Sequence, residues 1–266
     1  MDIIVCIKQV PETGDVKINP QTNTLIREGV KSIINPFDMY AIEEGLRLKE
    51  KFGGKVTVVT MGPPQAENAL RETLSLGTDE AVLVTDKAFA GSDTWATSYI
   101  LSCVIKKLSP FDLIICGKQA SDGDTAQVGP GISVHLDIPQ VTFVRKIEKI
   151  EGGFCQVERL TEDGFEIIKT PLPVLLTVVK EINEPRLPSL RNMMRAKSAP
   201  IKKLTVNELE LDKNKIGLDG SPTQVVKIFT PPPRQKGIIF EGDASDIADK
   251  LVAALKDAIL QAKSHK

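Results

Sequence analysis

The sequence predicts an α/β protein: a mainly parallel sheet with helices on both faces, antiparallel edge strands and an extended C-terminal arm. Three observations carry this. Short apolar runs alternate with helix-period segments from Ile3 to Leu136, the rhythm of strand–helix–strand units joined by right-handed crossovers. The run from Leu113 to Cys116 is apolar throughout, as a strand covered on both faces must be. Beyond about residue 185 the alternation stops.

Ile3 to Ile7 is the first strand. Asn35-Pro36 opens a helix, with Asn at the N-cap and Pro at the first helical position. Ile42 and Leu46 share its inner face, and Phe52-Gly53-Gly54 ends it. Lys55 to Met61 is the second strand, stopped by Gly62-Pro63-Pro64, and a helix follows through Ala66, Leu70 and Leu74 to Gly77. Ala81 to Val84 is the third strand; Ser92 or Asp93 caps the next helix, which runs to about Leu108. Leu113 to Cys116 is the fourth strand. After a loop from Gly117 to Gly123, a helix runs from Asp124 or Thr125 towards Leu136.

From Val141 the rhythm changes. Val141 to Ile147, Phe154 to Leu160, Phe165 to Ile168 and Val174 to Val179 are strand-like, with turns at Gly152-Gly153 and Glu162-Asp163-Gly164. They read as antiparallel additions to the sheet edge. The remainder holds a Pro/Arg/Met segment, a charged stretch, Pro231-Pro232-Pro233 and an amphipathic helix from about Ala244 to Lys263. A long, weakly packed extension is unusual inside a compact domain, so it reads as an arm that lies on another subunit. The domains are therefore 1–185 and 186–266.

At 266 residues the chain suffices for one sizeable domain plus an appendage. Hydrophobic content of 41% and charged content of 26% are those of a soluble globular protein. A formal charge of -1 gives no global attraction to nucleic acid or membrane. No apolar stretch approaches the roughly 20 residues that span a bilayer. Met1 to Ile7 begins as a strand with no basic leader, so no signal peptide is expected. Cys6, Cys103, Cys116 and Cys155 form no C-x-x-C; Cys6 and Cys116 sit in apolar strands, where thiols behave as small buried hydrophobes. With His135 and His265 the only histidines, no His-rich metal site is expected. A reducing, cytoplasmic compartment fits.

Open parallel sheets bind ligands beyond the carboxyl ends of their strands. Three strand exits meet that condition: Cys6-Ile7-Lys8, Thr60-Met61-Gly62 and Gly117-Lys118-Gln119. The run Gly123-Asp124-Thr125-Ala126-Gln127-Val128 then opens a helix, offering free N–H groups and the positive end of the helix dipole to a phosphate or pyrophosphate. Gly123 allows close backbone approach, and Thr125 and Ala126 are too small to obstruct it. Asp122 and Asp124 would repel phosphate if aimed at it and instead cap the helix or fix the loop. Spacing alone leaves a plain N-cap equally open, and the run is neither a Walker A loop nor G-x-G-x-x-G. Leu187 to Lys197 sets an apolar tip, Leu187 and Leu190, among Arg191, Arg195 and Lys197. By composition it is an ordinary surface helix or a presented docking loop; Met193 and Met194 are core filling or an adaptable contact.

Asn35-Pro36-Phe37-Asp38, Gly117-Lys118-Gln119-Ala120, the Asp122 to Pro130 loop and Asn183-Glu184-Pro185-Arg186 together resemble the β subunit of electron-transfer flavoproteins, over nearly the whole chain. The resemblance implies a Rossmann-like, adenine-nucleotide-binding fold paired with an α subunit, on which the terminal helix packs. It implies that Asn35, Met61 and the Asp122 to Val128 loop surround the nucleotide, which is AMP in ordinary members and a second FAD in electron-bifurcating ones. The small Gly123, Thr125 and Ala126 and the apolar Val128 are similar to the bifurcating type. The implied reaction is hydride transfer from NADH to this FAD. One electron then goes to ferredoxin or flavodoxin and one through the α-subunit FAD to an acyl-CoA dehydrogenase, enoyl-CoA reductase or similar flavoprotein. Such a chain is a redox subunit of a multi-subunit complex, with no general base or nucleophile of its own. The resemblance makes Leu187 to Lys197 a recognition loop in which Leu187, Leu190, Arg191 and Met194 meet the dehydrogenase, Leu190 as anchor. Two alternatives stand beside this: an ordinary β subunit carrying structural AMP, and a stand-alone nucleotide-hydrolysing or stress-type α/β protein.

Overall fold

The computed structural model describes residues 1–12, 32–226 and 237–264. In chain order the strands are β1 (Asp2–Ile7), β2 (Gln9–Pro11), β3 (Ser32–Ile34), β4 (Lys55–Met61), β5 (Glu80–Val84), β6 (Leu113–Gly117), β7 (Gln140–Glu151), β8 (Phe154–Thr161), β9 (Gly164–Pro171), β10 (Val174–Val178) and β11 (Lys202–Leu204). The α-helices are α1 (Pro36–Phe52), α2 (Glu67–Leu76), α3 (Thr94–Leu108), α4 (Val128–Leu136), α5 (Leu190–Ser198) and α6 (Ala244–Ser264).

Apolar alternation along β1 builds two cores. Ile3, Val5 and Ile7 face the core that also holds Ile42 and Leu46 of α1, Leu70 and Leu74 of α2 and Ala196 of α5. Ile4 and Cys6 face the other, with Ile100, Val104 and Ile105 of α3 and Ile132 of α4. Successive strand side chains point to opposite faces, so a strand apolar at every position has to be covered on both. Each large aliphatic side chain so buried contributes about 1.5–3 kcal/mol, and this term holds the helices to the sheet.

The main sheet has the order β11-β5-β4-β1-β6-β10-β7-β8-β9. Every pairing from β11 through β7 is parallel, while β8 and β9 are antiparallel. A separate antiparallel ribbon joins β2 and β3. The expected antiparallel additions are thus corrected in part. The segment Val174–Val178 is not an edge strand: it is buried along its length and lies between β6 and β7, parallel to both. Its continuous apolar run needs cover on both faces, which only the sheet interior supplies.

The break expected at residue 185 falls inside the first compact unit, Met1–Ile228. Beyond 185, α5 buries Ala196 in the core and β11 extends the sheet alongside β5. The second unit, Phe229–Lys266, holds α6, opened by the Asp243 carboxylate, which accepts the Asp246 N–H at 3.0 Å. Pro231-Pro232-Pro233 and His265 lie outside the described residues. Among those described, no helix is long and apolar enough to cross a membrane.

Candidate functional site

From β1 the sheet grows outward through β4 and β5, and β6 then returns to the opposite side of β1. The crevice beyond the carboxyl ends of β1 and β6 is therefore the topological switch point, where open α/β sheets bind ligands. Three loops meet there: the residue after β1, the start of α1 and the loop between β6 and α4.

Lys8 is the first link. Its N–H donates to Asp38 Oδ2 at 2.7 Å, and its carbonyl accepts the Asn35 N–H at 2.8 Å. Its ammonium donates to both Asp122 oxygens, at 2.6 and 2.8 Å. That pair is half exposed and contributes no more than about 1 kcal/mol; its value is to hold the loop in place. Asn35 sits at the N-cap of α1 but makes no side-chain cap bond. Its buried amide instead donates from Nδ2 to the Gln119 carbonyl at 2.8 Å and accepts the Ser121 N–H on Oδ1 at 3.0 Å. The expected capping role is thereby corrected: the side chain ties the loop after β6 to α1. Asp124 fixes the loop from within, accepting from the Gln119 side-chain amide, and its N–H donates to the Ala120 carbonyl at 2.8 Å. Thr94 Oγ1, in the first turn of α3, donates to Gln127 Oε1 at 3.0 Å.

Beside this knot opens a cleft of about 670 Å³ along the ends of β1, β4 and β5, walled by Lys8, Met61, Gly62, Pro64, Phe89 and Asp122 among others. Small-molecule sites typically occupy roughly 300–1,000 Å³, so a nucleotide moiety fits. Cys6, Thr60 and Gly117 are buried and do not reach the cleft wall. Thr60 Oγ1 donates to the Ile7 carbonyl at 2.9 Å. A Cβ on Gly117 would stand 2.3 Å from Asp38 Oδ1 and 2.7 Å from the Phe37 carbonyl carbon. Gly117 is thus required for α1 to approach β6.

Gly123 and Thr125 are exposed on the loop after Asp122, with Ala126 and Val128 half-buried. A Cβ on Gly123 would meet nothing within 4 Å, so the space before this backbone is open. Asp124 and Ala126 both have positive φ, 53° and 54°, and such alternations fold successive N–H groups into an anion-binding concavity. The helix that follows begins at Val128, not at Asp124 or Thr125, because the left-handed Asp124 and Ala126 cannot continue into it. Gln127 at its N-cap makes no side-chain cap bond, which leaves the first-turn N–H groups of Val128 and Gly129 to a ligand. The chemistry of this donor set fits a phosphate or pyrophosphate.

Asp38 was not among the residues expected here. Burial pushes its carboxyl up to about 7, against the opposing pull of the Asn35 side chain and of the Lys8 and Gly117 N–H groups. The sequence signal was present in Asn35-Pro36-Phe37-Asp38, but a carboxylate in a first helical turn is ordinarily explained by the helix dipole.

Along α1 from Tyr40 to Glu50, Asn183-Glu184-Pro185-Arg186 is clamped to the helix. Arg186 Nε donates to the nearly buried Glu43 at 2.8 Å, and Arg186 also pairs with Glu50. Asn183 Nδ2 donates to Glu44 at 3.0 Å and to the Tyr40 carbonyl at 3.1 Å. Burial alone would raise the Glu43 carboxyl, but the Arg186 and Arg47 guanidiniums outweigh it and hold it below the usual range. From this clamp the chain enters α5, whose docking is reciprocal. Arg71 of α2 donates to the Ala196 and Ala199 carbonyls, and Arg195 of α5 donates to the Leu74 and Thr78 carbonyls. Arg195 is therefore engaged, and the outer face belongs to Leu187 (89% exposed), Leu190 (75%), Arg191, Met193 and Met194. Scattered exposed leucines need no explanation, whereas these exposed apolar side chains fall within eight consecutive residues, on and just before a helix fixed to α2.

A family model described as the electron transfer flavoprotein domain matches residues 22–209. The chain is similar to an electron transfer flavoprotein subunit beta of Thermoanaerobacterium thermosaccharolyticum, 56% identical over 96% of this chain and 98% of the relative. It is similar to the protein of that name in Clostridium acetobutylicum, 49% identical over 97% and 98% of the two chains. A third relative, from Acetobacterium woodii, carries the name caffeyl-CoA reductase-Etf complex subunit CarD and is 49% identical over 97% and 98%. With a nucleotide-type switch point in the fold and similarity running through nearly its whole length, the chain belongs to the electron transfer flavoprotein family, as a β subunit.

Proposed function

We propose that this chain is the β subunit of an electron-bifurcating electron transfer flavoprotein, which binds FAD at the switch point and takes its electrons from NADH. The observation that carries this reading is the loop from Asp122 to Val128, with open space before Gly123, left-handed backbone at Asp124 and Ala126, and uncapped N–H groups at the start of α4. When bound, FAD supplies a two-electron entry and a one-electron exit. The chain's own residues bind and orient. The N–H groups of the loop and of α4 hold the pyrophosphate, while Met61, Gly62 and Lys8 bound the cleft. Asn35 and Asp122 keep the loop in register with β1.

The partner side rests on α5. Leu190, with Leu187, Arg191 and Met194 around it, is the anchor that seats on an acyl-CoA dehydrogenase, an enoyl-CoA reductase or a related flavoprotein. The relative named for a caffeyl-CoA reductase complex supports a partner of that class. Ferredoxin or flavodoxin receives the other electron, an α subunit completes the FAD-bearing heterodimer, and the complex is cytoplasmic.

Gly123→Val tests the site. Its Cβ meets no protein atom within 4 Å, so the fold should be spared, with melting unchanged within the roughly 0.5 kcal/mol typical of surface substitutions. FAD at the β site should be lost and the α-subunit FAD retained. Full retention of both flavins would place the site elsewhere.

A further inference from the structure

We propose that Asp38 is a positioning residue of the nucleotide site, a buried carboxyl whose charge sets how tightly the switch point holds an anionic ligand. The inference rests on the nucleotide reading above. Asp38 lies in the first turn of α1, 6% exposed. Oδ2 accepts the Lys8 N–H leaving β1 at 2.7 Å, and Oδ1 packs against Gly117 at the end of β6, where a Cβ would stand 2.3 Å from it. One side chain therefore joins the exits of the two strands that define the crevice. The same exits carry the Lys8–Asp122 pair and the Asn35 bonds to Gln119 and Ser121, on which the loop depends.

The groups facing Asp38 are few. Lys8 is the nearby cation, but its ammonium is taken up by Asp122. Cys6 of β1 and Cys116 of β6 lie side by side in register. The Cys6 hydrogen bond and burial push the Cys116 thiol well above its ordinary value, so it stays uncharged near neutrality. Burial in the first turn of α1, with the Lys8 ammonium turned to Asp122, pushes the Asp38 carboxyl up to about 7, so in this proposal it is the group that changes charge there. Neutral, it accepts the Lys8 N–H at the strand exit and presents no net charge to the cleft. Ionised, it puts a buried negative charge at the strand ends where a phosphate binds, and a charge out of water is drawn towards solvent at the expense of packing. Nucleotide affinity should therefore fall as pH rises through neutrality, and by linkage nucleotide binding should take up a proton.

The test uses the full chain in complex with its α subunit and FAD as the probe, because a pyrophosphate diester lacks the ionisation near about 6 of a phosphate monoester. A Gly123→Val complex supplies the blank for the α-subunit site. The parent should bind FAD about tenfold more weakly at about pH 8.5 than at about pH 6, a Coulombic effect of ordinary size. Asp38→Asn, which keeps an acceptor and removes the charge, should hold the low-pH affinity throughout. A variant-free measurement stands beside it: amide-exchange protection of residues 118–128 in the ligand-free parent should fall over the same interval. If Asp38→Asn keeps the parent's slope, or protection does not change with pH, the inference is wrong while the site stands. If Gly123→Val binds as much FAD as the parent, the site reading fails and takes the inference with it.

Discussion

Two glycines and two acidic side chains show how single residues divide between fold and site. A Cβ at Gly117 would collide with Asp38 and the backbone of α1, whereas one at Gly123 would meet nothing. Both are strand-exit or loop glycines in the sequence, and only the packing around them separates a structural requirement from a position with open space before it. Asp38 is buried at the switch point, and Glu43 is buried under Arg186 and Arg47. Glu43 carries a clear stability prediction. Its folded pKa is depressed below 4.5, so its contribution is complete above that value and is lost as pH falls through the folded pKa. Glu43→Gln should cost about 2 kcal/mol at neutral pH, the scale of hydrogen bonds to charged groups. It should also remove part of the loss seen on acidification. Urea melts of both proteins between about pH 3 and about pH 7 measure this; an equal acid sensitivity in the variant would assign the effect to other carboxylates.

Among the elements, α5 makes the sharpest statement about function. It is fixed by the Arg71 and Arg195 exchange with α2 and by the Arg186 clamp before it, so the ordering cost of a contact is largely met before a partner arrives. Leu190→Ala should leave thermal stability unchanged, since the side chain is exposed. It should weaken the partner complex by about 2 kcal/mol, or roughly thirty-fold. NADH-driven bleaching of flavin in the isolated heterodimer should be unaltered, and excess partner should restore electron delivery. Slower bleaching with intact partner affinity would make Leu190 a scaffold residue. The elements were unevenly legible in the sequence. Lys55–Met61 and the Asp93 cap of α3 follow directly from apolar runs and capping chemistry. The position of β10 does not, because an apolar run says that a strand is buried but not which strands flank it. The late start of α4 was hidden because Asp-Gly-Asp-Thr serves equally as a helix cap and as a left-handed turn. For the Asn35 amide the sequence offers only its own helix as a partner, because the residues that take it, Gln119 and Ser121, lie far away in sequence.

At the scale of the molecule, a compact α/β unit to Ile228 is followed by a second unit whose α6 leaves Leu251, Val252 and Leu255 exposed. This is the face we propose packs on the α subunit. The chain expressed alone should therefore be poorly soluble or lose its nucleotide, and co-expression with an α subunit should restore a flavin-bearing heterodimer. A well-behaved monomer saturated with FAD would remove the need for that contact. The proposed bifurcating role itself turns on which nucleotide occupies the switch point, and cofactors extracted from the purified heterodimer decide it. Two FAD per heterodimer, one of them lost in Gly123→Val, is the predicted result; one FAD together with one AMP would contradict it.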